Sequence, residues 1–427
     1  MKAEKQKTYV FVYYALLLLV LASRQTATTA PPMVLRFAFM AAAIVPALLF
    51  KEVCYPAILT MLYTISLDGF AYSYMPSTLS LYVVITLAVT ILLSRHIRAG
   101  TIPLFLVLFA IYTFVTDLIF GVGQNGGAFF QSTFYCFVLM GCFLVLCNRD
   151  INTTLSQLPL CFSVTTIVLS VAYLTHRNQF ILQEIGGIER SGWTDPNYFG
   201  MALGMGTIVG LIKMFSWEWK DLSMIEKGVY IVAVVSSVPA LVLNASRGAL
   251  LSVIVGFLAL LFLSKAKFGF KFVLTIMAVV AVYYLYTNRY FDLLTYRIMN
   301  DEGTGSGRTA IWMAKLSSFV EGNPLKMIFG YGHIGGANIG GVHIGFHNDY
   351  IGFLVDYGII GLGLLLYMLY YPIGIMPKGS YERSSVIVLT VYLAMAFVTL
   401  EPLLTGIMGY FSFYMYALLL AKNSKQK

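Results

Sequence analysis

Charged residues are scarce in this sequence, at 11% of 427 residues, whereas about 25% is usual for a soluble domain. Hydrophobic residues make up 59% of the chain, and the mean hydropathy is +0.80. This deficit of charge excludes an ordinary soluble domain and indicates an all-α polytopic membrane protein. The net charge of +9 does not indicate nucleic acid as a partner, because the basic residues follow the predicted membrane topology.

Cysteines are also few, and none forms a Cys-x-x-Cys pair. The five cysteines lie in or beside apolar segments: Cys54, Cys136, Cys142, Cys147 and Cys161. This excludes a disulfide framework and the standard cysteine zinc sites. Asp-x-Asp pairs, a common way to present carboxylates to a divalent cation, are absent too. We therefore expect no metal and no other cofactor.

Long apolar runs, in contrast, fill most of the chain. A helix needs about 20 apolar residues to cross about 30 Å of hydrocarbon. This criterion predicts about fourteen transmembrane helices, with twelve or thirteen as alternatives. The predicted spans are 9–23, 33–50, 53–68, 77–94, 101–120, 128–147, 157–175, 198–215, 228–244, 249–264, 269–287, 350–371, 384–400 and 402–421. The basic start of the chain is interpreted as the approach to the first span and not as a cleaved signal peptide.

Lysines and arginines divide between the two sides of the predicted membrane domain. Lysines dominate the segments that the positive-inside rule assigns to the cytoplasm, and both termini fall there. The predicted outer cations are mostly arginines: Arg24, Arg177, Arg190, Arg247, Arg289, Arg297 and Arg308. Topology explains the inner lysines but not the outer arginines. Because a guanidinium grips phosphate oxygens through two N–H groups, the outer face is predicted to hold an anion.

Two long outer loops interrupt the single predicted transmembrane domain, 1–427: residues 176–197 and residues 288–349. In the larger loop Trp312, Leu316, Phe319 and Val320 recur at helical spacing. We expect short amphipathic helices there, lying on the membrane surface or packed against the membrane domain.

The first polar motif is the segment from Arg190 to Asn197, in the shorter loop. Its Asp-Pro-Asn end is a helix N-terminal signal. Arg190 and Asn197 are candidate substrate ligands, and a capped turn with a surface arginine is the alternative.

The second motif is Asn244-Ala245-Ser246-Arg247-Gly248, between two predicted spans. It puts Arg247 at a helix N-terminus, where free N–H groups and a partial positive charge favour an anion. The alternative is an arginine that extends to the membrane interface.

The third motif is Gly305-Ser306-Gly307-Arg308, followed by Trp312. The glycines permit close backbone approach, and Arg308 opens the expected amphipathic helix. The motif lacks the Gly-Lys-Ser/Thr ending of a phosphate-binding P-loop, and a flexible turn is the alternative.

The fourth motif is His343 to Tyr350, which precedes a predicted span. A histidine beside Asn348 and Asp349 suits a general base, and His347 is the candidate. A structural histidine is one alternative. Zinc binding by His333, His343 and His347 is another, although the spacing fits no standard site.

The order of these motifs resembles the bacterial O-antigen polymerase/ligase family over about residues 185–365. The residues that carry the resemblance are Arg190 with Pro196-Asn197, Ser246-Arg247-Gly248, Gly-x-Gly-Arg308 with Trp312, Gly330-x-Gly332, and His347-Asn348-x-Tyr350 followed by Tyr357-Gly358 and Gly361. The resemblance implies an integral membrane glycosyltransferase that moves glycan from a polyprenyl-pyrophosphate carrier to an acceptor hydroxyl without a metal. It also implies that the family's outer arginines correspond to Arg190, Arg247 and Arg308, and its histidine to His347.

The predicted reaction is polymerisation on the outer face of the bacterial inner membrane, with a lipid-linked repeat unit as acceptor. Transfer to lipid A core by a ligase is the alternative, and a transporter or flippase of lipid-linked sugars is a third reading. Arg247, Arg308 and His347 are the predicted catalytic residues. The predicted substrate-binding residues are Arg190, Asn197, Asn348, Asp349, Tyr350, Trp312 and Tyr331. Expected partners are the lipid-linked oligosaccharide, the bilayer, a chain-length regulator and a flippase.

Overall fold

A computed structural model describes residues 104–120, 151–175, 181–185, 188–191, 196–299, 307–341, 345–400 and 408–426, with isolated helical positions at 16, 34, 38, 41 and 42. Apart from those isolated positions, five predicted spans lie outside the described residues: 9–23, 33–50, 53–68, 77–94 and 128–147.

The described elements are helices apart from one two-stranded hairpin. In chain order they are α1 Leu104–Phe120, α2 Ile151–Thr175, β1 Ile181–Ile185, β2 Ile188–Ser191, α3 Pro196–Met214, α4 Met224–Asn244, α5 Arg247–Leu263, α6 Phe268–Thr287, α7 Asp292–Met299, α8 Arg308–Val320, α9 Pro324–Phe329, α10 His333–Asn338, α11 Asp349–Gly374, α12 Arg383–Thr399 and α13 Met408–Gln426. Short 3₁₀ turns cover Trp217–Lys220 and Ile339–Gly341. The antiparallel hairpin falls in the shorter predicted loop, for which no strand was predicted.

Four of the described helices are long and apolar enough to cross a membrane: α2 from Leu155, α4, α6 and α11. Three shorter apolar helices, α1 from Leu108, α5 and α12, also lie in predicted spans. The described part of the chain therefore supports a polytopic membrane protein. It does not confirm the predicted count of about fourteen spans.

Helix α3 is the centre of the described helices and is buried over most of its length. Its glycines allow neighbouring helices to approach closely, as small residues do in membrane helix packing. A Cβ atom at Gly206 would lie 1.7 Å from Thr166 Oγ1 of α2, and one at Gly204 would lie 2.5 Å from Tyr392 Oη of α12. A hydrogen bond of 2.6 Å between the hydroxyls of Thr207 and Ser237 joins α3 to α4.

The ends of these helices lie together in the two groups that the predicted alternation of spans requires. The beginnings of α3, α5 and α11 meet the ends of α4 and α12 on one side of the bundle. The end of α5 meets the beginning of α12 elsewhere, where Lys265 Nζ donates to the Gly379 carbonyl and the Ser384 hydroxyl donates to the Leu263 carbonyl. The arginine-rich motifs therefore share one side, and the α5–α12 contact with its lysine lies at the opposite ends of those two helices.

The larger predicted loop folds into short helices, as expected. Helix α8 contains the predicted amphipathic pattern and packs against α11, with Lys315 and Phe319 buried. Asn323 caps the following helix, α9, through its Oδ1, which accepts from the Leu325 N–H at 2.9 Å. Val320 is 62% exposed, so it does not share the buried face that its spacing predicted.

Helix α11 is broken at Gly358, where φ is 69° and ψ is −171°. Gly330, before α10, approaches the same place with φ 88° and ψ −177°. Both conformations are restricted almost entirely to glycine. A Cβ at Gly358 would lie 2.1 Å from the Ile328 oxygen, and one at Gly330 would lie 2.1 Å from the Asp356 oxygen. The glycines of two predicted motifs therefore meet at a backbone-to-backbone contact.

Candidate functional site

The C-terminal end of α12 brings several of the predicted site residues together. The last carbonyls of a helix have no partner within the helix and need partners from elsewhere. Three consecutive carbonyls at this end accept hydrogen bonds from the motif residues: Val398 from Asn348 Nδ2 at 3.1 Å, Thr399 from Arg308 Nη1 at 2.7 Å, and Leu400 from the Asp349 N–H at 3.0 Å. We call residues 398–400 with these three donors the α12 junction.

Arg247 lies beside the α12 junction because its neighbour Gly248 packs directly against Thr399. A Cβ at Gly248 would lie 2.5 Å from Thr399 Oγ1, so a larger residue would separate the two helices. Arg247 is the first residue of α5 and is half-buried. Gly248, the residue after Arg247, and Arg308 therefore contact the same residue, Thr399, from two different helices.

Asn197 reaches the same region from the beginning of α3. The Ser246 hydroxyl lies 3.4 Å from Asn197 Oδ1. A Cβ at Gly200 would lie 2.5 Å from Asn244 Oδ1, which holds α3 close to the turn between α4 and α5. Asn197 thus contacts Ser246, the residue before Arg247, and its role in binding substrate stays a prediction.

Helix ends and arginines together set the charge around the α12 junction. The N-termini of α3, α5, α8 and α11 gather there with partial positive charges, and the C-termini of α4 and α12 bring partial negative charges to the same place. Arg247 and Arg308 add two full charges at the first residues of α5 and α8. Asp349, at the first position of α11, is fully buried and opposes them with one carboxylate.

His347 immediately precedes Asn348, the N-cap residue of α11. Its φ of 51° is uncommon for a residue with a side chain. The Trp312 indole N–H donates to the Phe346 carbonyl at 2.6 Å and so fixes the preceding residue. His347 is half-buried, with Nδ1 on the buried side of the ring. The structure therefore holds His347 at the edge of the arginine-rich region.

Two of the predicted substrate-binding side chains have structural contacts. Asn348 Oδ1 accepts from the Ile351 N–H at 3.0 Å and caps α11. The Tyr350 hydroxyl donates to the Ala394 carbonyl of α12 at 3.0 Å. These contacts explain why an asparagine and a tyrosine suit their positions, and contact with substrate stays a prediction for both.

Tyr331 lies away from the α12 junction, at the α11 break. Its N–H donates to the Val355 carbonyl at 3.0 Å, and its ring lies 6.3 Å from the Phe319 ring. Lys326 Nζ lies 5.2 Å from the Tyr331 ring centre and 3.5 Å from that of Phe120. Burial lowers the pKa of the Lys326 amine.

Arg190 lies in β2, where it pairs with Gln183 of β1, and β2 lies against α4. The side chain of Arg190 is outside what the structure describes, as are Trp193, Gly305, Ser306 and His343. The predicted role of Arg190 therefore stays a prediction.

Sequence reasoning assigned no role to two cations that organise this region. Arg297 of α7 donates from Nη1 to the carbonyl of Ala245, the left-handed residue between α4 and α5, and so supports the turn that presents Arg247. Lys315 of α8 is fully buried, 3.3 Å from the Gly336 carbonyl and 4.3 Å from the Phe346 ring centre. The only sequence signal was that each is a cation in the larger loop.

A histidine that was considered only as a zinc ligand lies in a second polar cluster, at the α11 break. The His333 backbone N–H donates to Asp117 Oδ1 at 2.8 Å, and His333 Nδ1 lies 2.9 Å from Asp356 Oδ2. The Tyr357 hydroxyl donates to Asp117 Oδ2 at 3.2 Å. Asp117 and Asp356 lie 239 positions apart in the sequence (356 − 117), and no local pattern joins them. Among the described residues, no three His, Cys, Asp or Glu side chains form a metal cluster.

A family model described as O-antigen ligase matches residues 231–366, from within α4 to within α11. Over these residues the chain is similar to the O-antigen polymerase/ligase family. The match covers Arg247, Arg308, His347 and the α11 break, and it confirms the resemblance drawn from the motifs. Among curated proteins, none matches the sequence.

The family match and the apolar helices together indicate a membrane protein of O-antigen or lipopolysaccharide biosynthesis. The family suggests glycosyl transfer on polysaccharides and lipid-linked oligosaccharide substrates. The family match identifies neither the acceptor nor the residues that catalyse the transfer.

Proposed function

We propose that the protein is a polysaccharide polymerase of the bacterial inner membrane. It transfers a glycan from polyprenyl (undecaprenyl) pyrophosphate to a hydroxyl of a lipid-linked repeat unit on the outer face. The reaction needs no metal and inverts the anomeric carbon. Both termini lie in the cytoplasm, and residues 288–349 lie outside. A flippase that delivers the repeat unit and a chain-length regulator are the expected partners.

The observation that carries this proposal is that Arg308 and the start of α5, where Arg247 lies, both pack against Thr399 at the α12 junction. As the glycosidic bond breaks, the electron pair leaves with the pyrophosphate oxygen, and negative charge grows there. Fixed cationic donors near that oxygen stabilise the transition state more than the bound substrate. The buried carbonyl contact of Arg308 fixes one side of its guanidinium and so limits how far it has to reorganise.

His347 is the sequence candidate for removing the proton of the acceptor hydroxyl. It borders the arginine-rich region directly before α11. A base on the face of the sugar opposite the pyrophosphate would give inversion by direct displacement. Trp312 and Asn197 would then bind the sugars or the carrier around this centre, and Tyr331 would do so from the α11 break.

A reconstitution assay tests the reaction. Purified protein in nanodiscs receives synthetic polyprenyl-pyrophosphate oligosaccharide, with and without EDTA. We expect glycans extended by whole repeats, equal yield with chelator, and an inverted anomeric configuration by NMR. Strict metal dependence would contradict the role of the arginines, and no bond formation would reject the reaction. A folded His347→Ala variant with full activity would remove His347 from the mechanism.

A ligase is the second candidate, favoured by the description of the matching family as O-antigen ligase. Both reactions use the same donor and the same arginines, so the acceptor alone separates them. An assay that supplies lipid A core together with the lipid-linked repeat unit shows which of the two acceptors the protein uses. Transfer only to lipid A core would replace the polymerase with the ligase.

A transporter is the third candidate, because broken helices with buried acids occur in transporters. In transporters the freed carbonyls face a cavity, whereas here the protein's own groups bind them. The carbonyls of Val355 and Asp356 accept from the Tyr331 and Gly332 N–H groups, and that of Tyr357 accepts from the Tyr112 hydroxyl. Movement of lipid-linked sugar across proteoliposome membranes without bond formation would favour the transporter.

A further inference from the structure

One face of α8 binds separate parts of the site region. Trp312 and Lys315 follow Arg308 by four and seven residues, which is the spacing of a single helix face. Arg308 Nη1 donates to the Thr399 carbonyl at 2.7 Å, and the Trp312 indole N–H donates to the Phe346 carbonyl at 2.6 Å. This face therefore fixes an arginine at the α12 junction and the residue directly before the candidate base.

Lys315 is the third member of this face, and its side chain is fully buried. Moving an amine out of water is unfavourable unless other groups bind it. Lys315 Nζ lies 3.3 Å from the Gly336 carbonyl and 4.3 Å from the centre of the Phe346 ring. A cation over the face of a buried aromatic ring is attracted by the ring's π electrons. Lys315 and Trp312 therefore hold both parts of Phe346, its ring and its carbonyl.

The residue after His347 is fixed as well. Asn348 caps α11 through its side chain, and its Nδ2 donates to the Val398 carbonyl of α12 at 3.1 Å. His347 thus lies between two anchored neighbours: Phe346 is held by α8, and Asn348 is held at the α12 junction.

The backbone of His347 depends on such anchors. Its φ of 51° lies in the left-handed region, which is uncommon for a residue with a side chain. Residues stay in that region only where their surroundings over-determine the conformation. The Phe346 carbonyl and the His347 nitrogen belong to one peptide group, so the Trp312 bond orients the plane from which this φ is measured. Without the anchors, we expect the backbone to relax to negative φ and the imidazole to move.

We propose that Lys315 and the Trp312 indole N–H are positioning groups for the base, His347. By holding Phe346, they keep the imidazole where it takes the proton of the acceptor hydroxyl. The inference rests on the proposed function, in which His347 is that base. This role of the Trp312 N–H is separate from the predicted binding of substrate by the same residue. Because Arg308 belongs to the same face of α8, one helix sets both the arginine at the α12 junction and the base.

The test measures kcat and KM for Trp312→Phe and Lys315→Met in nanodiscs, with the synthetic polyprenyl-pyrophosphate oligosaccharide as substrate. Trp312→Phe keeps an aromatic ring but loses the N–H, and Lys315→Met keeps a long side chain but loses the amine. A misplacement of about 1 Å can lower a rate about 10²-fold, so we expect each variant to lower kcat by about 10–10²-fold with KM little changed. A loss that appeared only as a raised KM would indicate substrate binding and overturn the positioning role.

A double-mutant cycle shows whether Lys315 acts through the Phe346 ring. Phe346→Leu keeps an apolar side chain but removes the aromatic face that attracts the cation. It should lower kcat as Lys315→Met does, and Lys315→Met should add little in the Phe346→Leu background. Losses that multiplied would show that the two side chains act independently, which would overturn the proposed link.

Lys265→Met is the matched control, because Lys265 also binds a carbonyl and lies near a ring. Its Nζ donates to the Gly379 carbonyl at 2.9 Å and lies 5.9 Å from the Tyr381 ring centre, where the end of α5 meets the beginning of α12. This variant should match the wild-type rate, and a loss like that of Lys315→Met would overturn the inference. Thermal unfolding of each variant identifies a mere loss of fold. If Lys315→Met does not fold, the smaller change Trp312→Phe carries the test.

The outcomes separate this inference from the proposed function. Wild-type kcat in folded Trp312→Phe or Lys315→Met overturns this inference alone, when the wild-type protein transfers glycan and His347→Ala is impaired. No transfer by the wild-type protein overturns the proposed function and this inference with it. Full activity in folded His347→Ala removes the base from the proposed function and leaves nothing for Lys315 to position.

Discussion

At both the α12 junction and the α11 break, groups from elsewhere in the chain bind helix carbonyls that lack partners within the helix. The charged side chains beside the two places have opposite signs. Each place gathers three consecutive carbonyls that a helix leaves without internal partners: residues 398–400 at the junction and 355–357 at the break. The junction uses an asparagine, an arginine and a backbone N–H as donors, with a second arginine beside it. The break uses two backbone N–H groups and a tyrosine, with two buried carboxylates beside it.

The two places therefore differ in charge along one helix: the junction has cationic side chains beside its carbonyls, and the break has buried carboxylates beside its carbonyls. Under the proposed function, a leaving pyrophosphate that gains negative charge would be stabilised at the junction and not at the break.

The largest effect is expected from closing the space at the break. Gly358→Ala or Gly330→Ala would put a side chain in a glycine-only conformation and 2.1 Å from a backbone oxygen. Backbone strain and overpacking each cost about 1–3 kcal/mol, so the free energy of unfolding should fall by at least about 2 kcal/mol. Thermal or denaturant unfolding in detergent measures this loss.

Gly363→Ala is the control in the same helix, because nothing lies within 4 Å of the added Cβ. It should be neutral or stabilising by up to about 1 kcal/mol. Equal stability of the Gly358 and Gly363 variants would show that the backbone contact at the break is not rigid.

The next effect concerns the guanidinium geometry at the junction. Arg247→Lys and Arg308→Lys keep the charge but lose the planar fork that binds two phosphate oxygens. We expect each to lower kcat by about 10²-fold, which is typical of losing one oriented donor to a developing anion. Initial rates with the lipid-linked donor measure it.

Arg383→Lys is the matched control for the arginines. Arg383 is also the first residue of a helix and also half-buried, but it lies at the other end of α12, where it donates to the Met376 carbonyl. Its substitution should leave the rate unchanged. A comparable loss in all three variants would mean that the junction arginines act through folding and not on substrate.

The smallest effect is expected from the cap of α11. Asn348→Ala removes the bond to the Ile351 N–H and the bond to the Val398 carbonyl. Loss of an N-cap costs about 1 kcal/mol. If Asn348 is chiefly structural, unfolding should shift by this amount with at most a modest change in KM. A large fall in kcat at unchanged stability would support the predicted contact of Asn348 with substrate.

Much of the described helical pattern was predictable from hydropathy. The predicted span 228–244 corresponds to α4 and 269–287 to α6, because a long apolar run has few other stable structures in lipid. The amphipathic pattern also predicted α8. The hairpin at residues 181–191 was missed, since its short strands carry no strong alternation. The partnership of His333 with Asp356 was missed because it depends on the contact between Gly330 and Gly358.

Local composition and the alternation of spans are enough to indicate a membrane protein, to predict which helix ends share a side, and to predict that arginines concentrate on one of those sides. The contact of Arg308 with Thr399 and the pairing of His333 with Asp356 depend on tertiary packing. Another such contact joins residues more than 200 positions apart, Asp117 and His333, and no local pattern encodes which distant backbone groups will meet.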